Sequence, residues 1–216
     1  MIKIYPGITT VPEEFEQMLK KLQPTGETLQ VDFADGVFVP STLGNIEGVA
    51  NHPEVTFQIH LMVEKPENYL ERLINLPNVE SIIFHIESAS QPMAIIDAIH
   101  QGGKKVGISL NPETNIEALE PVVSHVDFVQ FMTVYPGGYG AEFQSSVLGK
   151  VEHFHALNPE MPIEIDGGMN PSTVSLAVKA GATMIESGSY VANSDDPKKA
   201  IEELRESVMR TSPLTQ

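Results

Sequence analysis

Short apolar runs alternate with longer amphipathic ones along the whole chain, and each short run is bounded by glycine, proline or an acidic turn residue. That alternation is the pattern of βα units wound around a parallel sheet. It predicts eight strands, near Ile2–Tyr5, Thr28–Phe33, Val55–Met62, Ser81–His85, Lys105–Leu110, Phe128–Met132, Ile163–Asp166 and Met184–Ser187. Between them, Pro12 opens a helix whose first turn carries Glu13 and Glu14, acidic residues that suit the positive end of the helix dipole. Pro66, Pro92, Pro112, Pro171 and Pro197 mark similar starts, while Ile46–Asn51 has room for only a turn or two. Eight units could also form an open doubly wound sheet, but no GxGxxG follows the first strand. The expected fold is therefore α/β, a single-domain (β/α)8 TIM barrel over residues 1–210 with a short tail at 211–216.

Composition agrees with this. The chain has 216 residues, 41% hydrophobic and 19% charged, which is ample for one packed core and too apolar for a disordered chain. It has no cysteine, which removes disulfides, thiolate metal sites and cysteine nucleophiles together. A net charge of −16 argues against nucleic acid or an anionic membrane as partner, since both demand a basic surface. The opening MIKIYPGITT is neither a basic-then-apolar leader nor a spanning segment, so a cytoplasmic protein is expected. A homo-oligomer is the expected assembly.

In a barrel the carboxyl ends of the strands build the active site. Here they end in VDFADG with Asp32 and Asp35, QIHLMV with His60, HIE, LNP, MTVYPGGYG, IDGG with Asp166, and ESGSY. Groups suited to acid–base work therefore gather at one end. Either aspartate also reads as a turn cap, a role Asp fills often where a strand becomes a loop. His85 reads as a core side chain that Glu87 could orient.

The segments VDFADGVFVP, HLMV, FHIES, GISLNPET, MTVYPGGYGAEF, IDGGM and GSY resemble, in order and spacing, the motifs of the ribulose-phosphate 3-epimerases, from Pro6 to about Val191. The resemblance implies an isomerase that epimerises D-ribulose 5-phosphate to D-xylulose 5-phosphate. Two carboxylates on opposite faces of the sugar would pass a proton through an enediolate, and Asp32 and Asp166 occupy their positions. It also implies a divalent metal cation (zinc, manganese, iron, cobalt or magnesium) on two histidines and two aspartates. His60, Asp32 and Asp166 match, but Gln30 stands where the second histidine is expected. An amide oxygen binds hard ions better than zinc, so Gln30 either weakens the site and changes its metal or simply fills the barrel mouth. Gly7 replaces a serine and Ala34 a methionine of the family pattern, while His60, Met62 and Met132 remain to line the substrate site.

Gly137, Gly138 and Gly140 after strand six, Gly167 and Gly168 after strand seven, and Gly188 with Ser189 after strand eight place bare backbone where amides can converge on a phosphate. No lysine or arginine lies in those loops, so N–H groups and the Ser189 hydroxyl would have to hold it. The plain alternative is that the glycines make tight turns. Rival functions are another phosphosugar epimerase or lyase on the same barrel, and a non-catalytic phosphosugar-binding paralogue. Retention of two facing carboxylates weighs against the last.

Overall fold

Residues 2–137 and 140–211 are described by the computed structural model; Gly138 and residues 212–216, most of the expected tail, lie outside the described residues. Eight parallel strands close into a barrel: β1 (Lys3–Ile8), β2 (Leu29–Asp35), β4 (Phe57–Met62), β5 (Val79–His85), β6 (Lys105–Leu110), β7 (Phe128–Met132), β8 (Ile163–Asp166) and β9 (Met184–Ser187). Pairing of β1 with both β9 and β2 completes the ring. A two-residue strand, β3 (Thr42–Leu43), folds back antiparallel on the end of β2 at the mouth.

The period-two geometry of a strand sorts each sequence into two faces. In β2, Leu29, Val31 and Phe33 join the large apolar cluster, as do Phe57, Ile59 and Leu61 in β4. The intervening Gln30, Asp32, Gln58 and His60 meet one another by side-chain hydrogen bonds inside the ring. At the opposite end of the barrel, Tyr5, Ile83, Phe128 and Met184 form a separate small apolar cluster. Gly107 completes that plug: a Cβ there would stand 2.4 Å from Phe128 Cζ and 2.8 Å from Ile83 Cγ1. Gly107→Ala should therefore destabilise the protein by about 1–3 kcal/mol through overpacking. A urea midpoint unchanged from wild type would contradict this.

Outside the ring lie eight helices among the described residues: α1 (Phe15–Leu22), α2 (Ile46–Asn51), α3 (Glu67–Ile74), α4 (Pro92–Gln101), α5 (Val147–Leu157), α6 (Val174–Lys179), α7 (Ser189–Ala192) and α8 (Pro197–Thr211). Pro92 and Pro197 begin their helices as expected, and Pro12 opens a single 3-10 turn that runs into α1.

Three expectations need correction. Pro112 does not start a helix: the segment between β6 and β7 holds only the 3-10 turns Ile116–Leu119 and Val123–His125. Two causes are visible. Lys150 Nζ donates to the carbonyls of Asn111, Pro112 and Thr114, which a helix would need, and Pro121 has no N–H to continue one. Pro171 precedes its helix by three residues, because Asn170 Oδ1 accepts from Ser172 N and Thr173 N in an intervening turn. Finally, β1 runs past Tyr5 to Ile8, since Pro6 is in register with Ser187 and Gly7 with Gln30, where the ring closes.

Candidate active site

The carboxyl ends of β2, β4, β8 and β9 deliver Asp32, His60, Asp166 and Glu186 to one small recess, with Met62 and Met132 on its wall. Asp32 and Asp166 are each 7% exposed, and they converge on shared partners. His60 Nδ1 lies 3.2 Å from Asp32 Oδ1 and 3.4 Å from Asp166 Oδ2. Gln30 Nε2 donates to the same two carboxylates at 3.1 and 2.8 Å, and Thr9 Oγ1 donates to Asp32 Oδ2 at 2.6 Å.

Beneath them is a buried polar layer. Gln58 Nε2 donates to Glu164 at 2.8 and 3.0 Å and to Gln30 Oε1 at 3.1 Å. Gln130 Nε2 donates to Glu164 Oε1 at 2.9 Å and to Asp166 Oδ2 at 3.1 Å. Ser81 Oγ in turn donates to Gln58 Oε1. This layer fixes which way the Gln30 amide points. Its oxygen faces the amide nitrogens of Gln58 and Gln130, so its NH2 group must face the carboxylates.

Electrostatics follow from this crowding. Burial alone would push the His60 pKa down, but bonds to Asp166 and Asp32 and their charges outweigh it and lift the pKa to about 10. Burial likewise acts to raise Asp166, yet the hydrogen bond and charge of His60, with bonds from Gln30 and Glu186, hold it below the usual carboxylate range. Burial brings Glu164 up to about 7. Burial and then the charges of Asp166 and Asp32 keep Glu186 well above the ordinary value. His85 is buried against His60, with Nε2 atoms 3.0 Å apart, and burial lowers its pKa. A charged His60 can therefore donate to a neutral His85, whose Nδ1 lies 3.4 Å from Glu87. His85 is thus both a core side chain and a neighbour of the site. Glu87 also accepts from Asn111 N and Thr114 Oγ1.

Asp35 does not join the recess. It caps a turn, accepting from the N–H groups of Val37, Phe38 and Glu64. Gly137, Gly140, Gly167, Gly168, Gly188 and Ser189 all line the recess beside the carboxylates; Gly138 lies outside the described residues. Gly167 and Gly168 have φ of 113° and 66°, conformations that glycine adopts without strain. Thr133 Oγ1 donates to Gly167 O at 2.6 Å and pins the start of that loop.

Asp32, His60 and Asp166 form a buried group whose ligand atoms lie within 4.8 Å of one another, and this group could hold a metal ion. Gln30 is differently placed. Its donor, not its lone pairs, faces the group, so coordination by its oxygen would require the amide to turn over and give up its bonds to Gln58 and Gln130.

The residues that sequence reasoning passed over are Thr9, Gln58, Gln130, Glu164 and Glu186. Their signal was the same period of two. Gln58, Gln130 and Glu164 each precede by two residues a residue that the motif reading had singled out, in Gln58-x-His60, Gln130-x-Met132 and Glu164-x-Asp166. A polar residue at that spacing inside an otherwise apolar parallel strand must face a polar interior.

A parallel barrel with acidic groups, an imidazole and a glycine-lined recess at the carboxyl ends of its strands defines a small-molecule enzyme of the TIM-barrel class. Residues 6–192 match the ribulose-phosphate 3 epimerase family, and the chain belongs to that family. Ribulose-phosphate 3-epimerase of Schizosaccharomyces pombe is 36% identical over 219 residues, covering 96% of this chain and 94% of that one. The Bacillus subtilis protein of the same name is 33% identical, with 95% and 99% covered. Among solved structures, KGPDC from Streptococcus mutans superposes with a TM-score of 0.72 over 98% of this chain and 99% of that one. At 10% identity that likeness is one of fold. No helix among the described residues is long and apolar enough to cross a membrane.

Proposed function

We propose that the protein epimerises a ketopentose phosphate, D-ribulose 5-phosphate to D-xylulose 5-phosphate, by proton transfer between Asp32 and Asp166. The observation that carries this reading is the convergence of two buried carboxylates, from strands on different sides of the barrel, at one glycine-lined recess in a chain of this family. One carboxylate takes the proton from C3. The C–H electron pair becomes the C2–C3 double bond while the ketone π pair moves onto O2, giving an enediolate. The other carboxyl returns a proton to the opposite face of C3, which inverts that centre. The NH2 group of Gln30, held toward both carboxylates, keeps them oriented through the exchange. Met62 and Met132 offer apolar cover over the sugar.

A divalent metal held by Asp32, His60 and Asp166 would supply positive charge for the developing oxyanion. Magnesium or manganese suits this oxygen-rich set, and Gln30 would be a fourth ligand only in its turned-over orientation. The phosphate is assigned to the backbone amides of Gly137, Gly140, Gly167, Gly168 and Gly188 and to Ser189. A crystal of the substrate complex should accordingly show phosphate oxygens at about 3 Å from the Gly168 and Ser189 amides; a phosphate seated elsewhere contradicts the assignment. We assign the protein to the cytosol as a homo-oligomer.

A coupled assay of purified, metal-supplemented protein on D-ribulose 5-phosphate tests the whole reading. Turnover to xylulose 5-phosphate supports it. Tight binding without turnover would instead favour a phosphosugar-binding paralogue.

A further inference from the structure

Strand β9 delivers one more carboxyl to the recess. Glu186 is 5% exposed and lines the same cavity as Thr9, Asp32 and Asp166. Its Oε1 is buried and has no hydrogen-bond partner, the only buried carboxylate oxygen among the described residues in that condition. The contrast with Glu164 is sharp, since the amides of Gln58 and Gln130 satisfy that group from inside the barrel. A buried carboxyl oxygen left without a donor costs free energy, so Glu186 is held here by something other than internal hydrogen bonds to Oε1.

The position of Oε1 explains a second oddity. It lies 1.9 Å from the point where a Cβ on Gly7 would stand, so no side chain at residue 7 can coexist with this Glu186 conformation. Gly7 is an unstrained strand residue without positive φ, and its lack of a side chain therefore serves space rather than backbone freedom. Residues 7 and 186 compete for one volume beside the recess.

Resting on the epimerase reading above, we propose that Glu186 is a substrate-contacting, specificity-determining residue. Its carboxyl hydrogen-bonds a hydroxyl of the phosphosugar close to the carbon that Asp166 serves, with Oε1 seated in the space that Gly7 leaves. Position 7 thus makes the room and position 186 makes the contact.

Four variants test this: Glu186→Gln, Glu186→Ala, Gly7→Ser and the double variant Gly7→Ser/Glu186→Ala. For each, titration calorimetry would give the affinity for D-ribulose 5-phosphate and, separately, for inorganic phosphate, with thermal midpoints alongside and kcat and KM wherever turnover is seen. Glu186→Ala should weaken sugar-phosphate binding roughly tenfold or more, the effect of losing a hydrogen bond to a charged or strongly polar group. Inorganic phosphate affinity should stay at the wild-type value, and Glu186→Gln should fall between the two. Gly7→Ser should lower the thermal midpoint, and removing the Glu186 carboxyl in the double variant should restore it. Unchanged sugar-phosphate affinity in Glu186→Ala would overturn the contact. A parallel loss of inorganic phosphate affinity would show a merely structural role and overturn it equally. A Gly7→Ser protein as stable as wild type would overturn the shared volume. If wild type binds ribulose 5-phosphate without epimerising it, the epimerase reading fails while these affinities still decide the role of Glu186.

Discussion

Replacing either Asp32 or Asp166 with Asn should reduce epimerisation at least 10²-fold, the usual loss when a general acid or base is removed, while leaving a folded barrel. The substitution is close to isosteric and keeps an oxygen to accept from Gln30, so the polar layer survives. Each reaction direction needs one carboxylate to take the proton and the other to return it. Neither variant should therefore retain one-way activity. Steady-state rates in both directions, with a thermal midpoint for each protein, check this; full activity in either variant would show that a different residue moves the proton.

The second large effect concerns Gln30. As the interior is arranged, its oxygen is occupied by Gln58 and Gln130 and its NH2 faces Asp32 and Asp166, so the site offers a metal three protein ligands. Gln30→His would put an imidazole nitrogen at the same strand position. Zinc affinity should then rise by a factor on the order of 10–100, comparable to the effect of residues that complete or orient a metal site. Metal content and competition against a chelator, measured side by side, give the answer. Wild type carrying one zinc as tightly as the variant would contradict the orientation deduced for Gln30.

The barrel itself was legible because the hydrophobic pattern and its punctuation agree along most of the chain. The strands Lys105–Leu110, Phe128–Met132, Ile163–Asp166 and Met184–Ser187 lie where the apolar runs put them. What local pattern missed depended on distant partners. A proline at 112 looks like a helix start, but Lys150, from a helix 38 residues on, captures the carbonyls that the helix would use. Tyr5-Pro6-Gly7 looks like the end of a strand, yet ring closure against Gln30 and Ser187 extends it.

The candidate site divides the same way. Asp32, His60 and Asp166 stand out because each lies toward the carboxyl end of a strand in a motif with a recognisable neighbour. Gln58, Gln130 and Glu164 carry no motif, and only the inward face of a closed barrel reveals that they set the orientation of Gln30. Glu186 was hidden for a related reason. The residue that explains it, Gly7, lies 179 positions away in sequence.

Proton exchange with solvent tests the central claim most directly. Wild-type protein incubated with D-ribulose 5-phosphate in D2O, followed by NMR, should yield xylulose 5-phosphate carrying deuterium at C3 and at no other carbon, because the returning proton comes from a carboxyl that has equilibrated with the medium. Product that retains its original C3 hydrogen, or deuterium appearing at C1 instead, would contradict proton transfer between Asp32 and Asp166 at C3.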